Sequence, residues 1–113
     1  MQWSGNAGQT YFFQSELPYD VTQANFGDKG YVGYRVNASV TSHKGYGIGV
    51  YQFFRDNAVT VKTGISTPPA LESSFVHPLA VFLNGKGIMQ HIINDKGDET
   101  SSVRGSGAVY YCQ

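Results

Sequence analysis

The chain has 113 residues, enough for one domain with a core of its own and no disulfide support. Eight Lys and Arg balance eight Asp and Glu, and this zero net charge argues against a nucleic-acid binder, which needs a basic face. Eight Tyr, seven Phe and one Trp exceed what a disordered chain carries, while the single Cys112 excludes an internal disulfide and a cysteine-ligated zinc site.

The first residues, Met1-Gln2-Trp3-Ser4-Gly5-Asn6, have neither the positive region nor the apolar run of a leader peptide. No stretch approaches the roughly 20 apolar residues of a membrane span. The expected location is therefore cytoplasmic, or outside the cell by a non-classical route, with no membrane partner. Residues 1–113 are read as a single all-β domain.

Further along, the apolar residues recur with a period of two. Tyr11 to Asp20 is rich in aromatic residues around Glu16, and in an extended segment Gln14 and Glu16 point the same way. Gly27-Asp28-Lys29-Gly30 reads as a turn, because Asp and Gly tolerate tight reversals. Tyr31 to Val40 alternates, and its Asn37-Ala38-Ser39 triplet fits a glycosylation sequon, read here as a chance match. Lys44-Gly45 suggests another turn. Ile48, Val50, Gln52 and Phe54 share one face of the next strand, and Val59 and Val61 open another. After Arg55-Asp56-Asn57 and the loop Ser66–Ala70, strands are expected around Val76–Leu83, Ile88–Ile93 and Ala108–Tyr111. Asn84-Gly85 is a favoured two-residue hairpin signal. About seven to nine strands result, with no helix of ordinary length and no exact internal repeat.

Few groups could carry chemistry. Glu16 stands among rings, and rings beside carboxylate and amide groups suit a sugar: the rings cover its C–H faces while the polar groups take its hydroxyls. An ordinary surface Glu fits the same pattern. His43 beside Ser42 is not a base next to a nucleophile, since neighbouring strand residues face opposite ways. His43, His77 and His91 lack metal-ligand spacing, so no metal and no cofactor is expected. Gly45, Gly47 and Gly49 precede a strand rather than a helix, which argues for close packing or turning rather than a phosphate loop. Trp3, Tyr11, Tyr19, Tyr31, Tyr34, Tyr46 and Tyr51 are possible stacking surfaces, of which two or three should line a site.

Three segments, YFFQSELPYDV from Tyr11, VTSHKGYGIGVYQFFRD from Val40 and GIMQHIINDKG from Gly87, resemble the C-terminal part of glycoside hydrolase family 55. These are fungal and bacterial exo-β-1,3-glucanases of the laminarinase type. The resemblance implies a fragment of a right-handed β-helix, with a compact β-sandwich as the alternative fold. It also implies that Glu16 holds a cleft carboxylate position. Where the family's Ser-His-Glu-like motif places an acid, this chain has Lys44. A lysine cannot serve as a carboxylic acid, and an inverting glycosidase needs two carboxyl groups.

The reading is thus a non-catalytic carbohydrate-binding protein, a lectin of small fungal type. It would recognise β-glucan or related oligosaccharides through Gln14, Glu16, Tyr19, Asp20, His43, Lys44 and Tyr46. No catalytic residue is assigned. Self-association to a homo-oligomer is expected, because a free-standing β-helix piece leaves strand edges open. One alternative is a glucan hydrolase using Glu16 and Asp20. In an extended strand these lie about 13 Å apart, beyond the roughly 5–9.5 Å of such pairs. The other is an assembly or defence protein with no glycan activity.

Overall fold

The computed structural model describes residues 1–110, so Cys112 and the Tyr111 end of the expected last strand lie outside the described residues. The chain winds in successive coils, each contributing one strand to each of three sheets. The first coil holds β1 (Gln2–Trp3), β2 (Gly8–Tyr11) and β3 (Gln14–Glu16). The second holds β4 (Tyr34–Val36), β5 (His43–Tyr46) and β6 (Gly49–Phe54). The third holds β7 (Thr60–Ser66), β8 (Phe75–Val76) and β9 (Leu79–Gly85), and a fourth begins with β10 (Ile88–Ile93). The sheets run β1-β4-β7-β10, β2-β5-β8 and β3-β6-β9, and every pairing within them is parallel. A last short strand, β11 (Gly107–Ala108), pairs antiparallel with β9.

This is a parallel, β-helix-like coil stack. A sandwich is excluded, because its sheets are antiparallel and joined by hairpins and Greek keys. Register gives the coil length: Gly8 lies beside His43 and Gly45 beside Phe75, so the chain repeats after 35 and then 30 residues. Among the described residues, helical structure is limited to one π-type turn at Gln23–Gly27 and a 3-10 stretch at Pro69–Ser74. The first starts at Thr22, whose side chain accepts from the Asn25 amide while the Asn25 side chain accepts from the Thr22 amide.

Inward-facing side chains from the coils form one core. Ile48, Val50, Gln52 and Phe54 are all fully buried, as the period-two pattern anticipates, and Val59, Val61, Ile65, Met89 and Ile93 pack with them. Removing such a side chain from water contributes about 1.5–3 kcal/mol each. Gln52 is the polar member: its amide donates to the Gly87 carbonyl at 3.0 Å and accepts from Thr100 Oγ1 at 2.7 Å. Burial of a paired amide is tolerated where an unpaired one is not.

Three local expectations differ from the structure. Asn84-Gly85 is no hairpin, since β9 and β10 belong to different sheets and the segment turns the chain between them. Lys44-Gly45 lies inside β5 rather than in a turn; a Cβ on Gly45 would stand 2.7 Å from the Phe75 ring, so this glycine serves close coil contact. The Tyr31–Val40 strand shrinks to Tyr34–Val36, because a turn closed by Val40 N–H to the Asn37 carbonyl bends the chain toward the next sheet.

Candidate groove at the outer corner

Between the β2-β5-β8 and β3-β6-β9 sheets the backbone turns a sharp corner in every coil. Tyr11, Tyr46 and Val76 stand in register, so the residues after them, Phe12, Gly47 and His77, stack along the coil axis. All three are left-handed, with φ of 53°, 63° and 51°. Glycine adopts this conformation freely, whereas a Phe or His does so at a cost. The ladder continues through the corner: Phe12 N–H donates to the Tyr46 carbonyl at 2.7 Å and Gly47 N–H to the Val76 carbonyl at 2.9 Å.

The corner carries a groove of about 460 Å³, with Phe12, Gln14, Tyr46, Tyr51 and His77 among its walls. Gly47 and Gly49 form part of its lining, and the Phe12 ring packs over the first while Tyr51 and Leu79 pack over the second. The Tyr11 and Tyr46 rings stack nearly parallel, 4.7 Å apart at 4°. Phe12 is 79% exposed, a large apolar ring held in water in a strained backbone conformation. At the other wall His77 meets Tyr110 edge-on, with ring centroids 4.8 Å apart. Flat apolar faces beside an amide and an imidazole can cover C–H surfaces and exchange hydrogen bonds with hydroxyls.

The candidate residues divide into three groups. Gln14 and Tyr46 line the groove, and Lys44, exposed two residues before Tyr46 on β5, occupies the same outward face. Glu16 points outward with Gln14, but the Tyr19 hydroxyl donates to its carboxylate, which raises the Tyr19 pKa. Tyr19 leans on Phe53 with centroids 5.0 Å apart, under the Arg55 guanidinium, and the Asp20 charge acts on that guanidinium. Glu16 and Tyr19, with Leu17 and Pro18 between them, frame a smaller hollow of about 240 Å³.

His43 stands apart from both, inside the coil stack. It is 3% exposed, bonded to Tyr34 and packed against Trp3 and Phe75. Burial lowers its pKa and favours the neutral ring. Its place on β5 explains this, because His43 and Gly45 face inward and Lys44 outward. Phe12, His77 and Tyr110 are absent from the sequence-derived set. Phe12 and His77 are aligned only by coil steps of 35 and then 30 residues, and Tyr110 joins them only through its ring contact with His77, so none leaves a short-range sequence signal.

A parallel coil stack with an aromatic groove at its outer corner defines a β-helix-like protein. No protein-family profile matches the chain. An exo-β-1,3-glucanase from Streptomyces sp. (strain SirexAA-E / ActE) is 42% identical over 106 residues, 89% of this chain and 18% of that enzyme. The solved structure of sacteLam55A from Streptomyces sp. SirexAA-E superposes with a TM-score of 0.83 at 41% identity, covering 96% of this chain and 21% of that one. A variant of sacteLam55A in complex with glucose matches with the same TM-score at 40% identity. The resemblance to family 55 exo-β-1,3-glucanases therefore holds in sequence and structure, and this chain is homologous to a segment of such an enzyme. It spans about a fifth of the length of these bacterial relatives.

Proposed function

We propose that this chain is a non-catalytic carbohydrate-binding protein that takes β-1,3-glucan or its oligosaccharides in the corner groove. The observation that carries this reading is the pairing of stacked Tyr11 and Tyr46 with a groove whose polar walls are Gln14 and His77. The β-1,3-glucanase relative supports the ligand class. Lys44, where the family resemblance places an acid, supports binding without hydrolysis, since two carboxyl groups are required for cleavage. Glu16, engaged by Tyr19, serves in this reading as a hydroxyl acceptor at the far end of the same face.

Self-association belongs to the same proposal. The strands β1, β2 and β3 each have one edge without a partner strand among the described residues. Open edges recruit further strands, and two linked shallow sites bind a polymer more tightly than one.

Titration calorimetry with laminari-oligosaccharides and a glycan array tests the reading. Saturable binding is expected, weakened about three- to tenfold by Tyr46→Ala through the loss of one stacking ring. No binding to any glycan would sink it. Release of reducing sugar from laminarin that Glu16→Gln abolishes would replace it with a hydrolase.

A further inference from the structure

The Asn84-Gly85 pair, which closes no hairpin, has a chemistry of its own. It ends β9 opposite Phe53 and Phe54 of β6, just past a slip in register between Gln52 and Phe53. Gly85 is held at φ 98°, and a Cβ on it would stand 2.5 Å from the Phe54 carbonyl oxygen. The backbone therefore demands glycine here. On the other edge of β9, β11 pairs only with Leu79 and Ala80. Asn84 itself is exposed to water.

The bond to the Phe54 carbonyl comes from the Lys86 amide, at 3.0 Å. The Gly85 amide donates instead to its own neighbour, Asn84 Oδ1, at 2.8 Å. With a C=O bond of about 1.23 Å, this contact puts Asn84 Cγ about 3–4 Å from the Gly85 nitrogen. Reacting atoms in a near-attack arrangement stand about 3–3.5 Å apart. Residue 85 has no side chain to shield its nitrogen.

We infer that Asn84 is a site of spontaneous deamidation, with the Gly85 main-chain nitrogen as nucleophile and water as the co-reactant. The nitrogen loses its proton to solvent and attacks Asn84 Cγ. The N–Cγ bond forms, the Cγ–Nδ2 bond breaks, and the side-chain amide leaves as ammonia with a proton from water. Water then opens the five-membered imide. Attack at Cγ gives aspartate, and attack at the main-chain carbonyl carbon gives isoaspartate. Either product adds a negative charge to a chain of zero formal charge. Isoaspartate also lengthens the main chain just ahead of the Lys86 amide that holds Phe54 and the Gly87 carbonyl that holds buried Gln52. The step from β9 to β10 is thereby loosened, slowly and irreversibly. None of this depends on what the aromatic groove binds.

Incubation of the whole chain at pH 8, with peptide mapping by mass spectrometry at intervals, tests the assignment. A gain of one mass unit is expected first at Asn84, ahead of Asn6, Asn25, Asn37, Asn57 and Asn94, none of which precedes a glycine. The native rate should stay within about tenfold of the rate in guanidinium, because the fold already brings the two atoms together. Aged protein should melt below fresh protein. Asn84→Gln, which would have to close a six-membered ring, should keep both its mass and its melting curve. A native rate slower than that margin, or a gain that begins at another asparagine, would overturn the assignment. An equal fall in melting temperature for aged Asn84→Gln would overturn the loosening.

Discussion

The Tyr34 hydroxyl lies 2.7 Å from His43 Nε2 in the middle of the coil stack, and Thr10 Oγ1 lies 2.7 Å from the same hydroxyl. Three residues from the first two coils are thus tied by one phenol, while His43 Nδ1 finds no partner. Burial disfavours the charged ring, so the folded His43 pKa is below its ordinary value of 6.5. The unfolded chain then takes up the proton first. Stability is full above pH 6.5 and declines as pH falls below it, until the folded pKa is reached. Thermal melts from pH 8 to 5 should show this decline, and His43→Phe should flatten it. Equal slopes for both proteins would contradict the assignment.

Tyr34→Phe removes the shared phenol and leaves both Thr10 and His43 without it. The expected loss is about 1–3 kcal/mol, the cost of stranding buried polar groups, with little change in packed volume. Urea unfolding at pH 8 measures it free of His43 protonation.

Gln52 offers a sharper test of polar pairing in the core. Gln52→Leu strands the Gly87 carbonyl and the Thr100 hydroxyl, costing about 1–3 kcal/mol for each group left unpaired. Adding Thr100→Val removes one of these orphans. The double variant should therefore be more stable than the sum of the two single losses implies, and denaturant titration of all four proteins gives the coupling. Strict additivity would mean that the 2.7 Å contact carries no energy.

Phe12 should trade stability against binding. Its left-handed backbone costs about 1–2 kcal/mol for a residue with a Cβ, and its exposed ring gains little from packing. Phe12→Gly is expected to raise the melting temperature while weakening oligosaccharide binding. If both rise together, Phe12 is no part of the groove's function.

Two glycine substitutions separate crowding from backbone strain. Gly45→Ala drives a Cβ into the Phe75 ring at 2.7 Å and should cost about 1–3 kcal/mol as overpacking. Gly30 has φ 71° and nothing within 4 Å of a built Cβ, so Gly30→Ala should cost only the left-handed penalty of about 1 kcal/mol. Melting temperatures rank the two.

What could be read from the sequence follows from which forces leave a local trace. Alternation exposed the buried face of Ile48, Val50, Gln52 and Phe54, because inward and outward positions differ in solvation. The coil repeat left no such trace. Tyr11, Tyr46 and Val76 occupy equivalent positions, as do Gln14, Gly49 and Leu79, yet these outward residues have no reason to match. Asn84-Gly85 met the rule for a two-residue reversal, but in a coil stack the same dipeptide turns the chain into the next sheet. Within the candidate site, Gln14 and Tyr46 were legible from strand direction. His43 was misplaced by one step of alternation, and Phe12, His77 and Tyr110 are neighbours only through tertiary register.

The short strand β11 gives the stack a direction. By running antiparallel along β9, it occupies the edge onto which a further parallel strand would be added, and Thr100 bridges Met89 of β10 in the same sense. Within this sheet the two edges are therefore unlike among the described residues: that of β3 is open, whereas that of β9 is already taken by a strand of opposite sense.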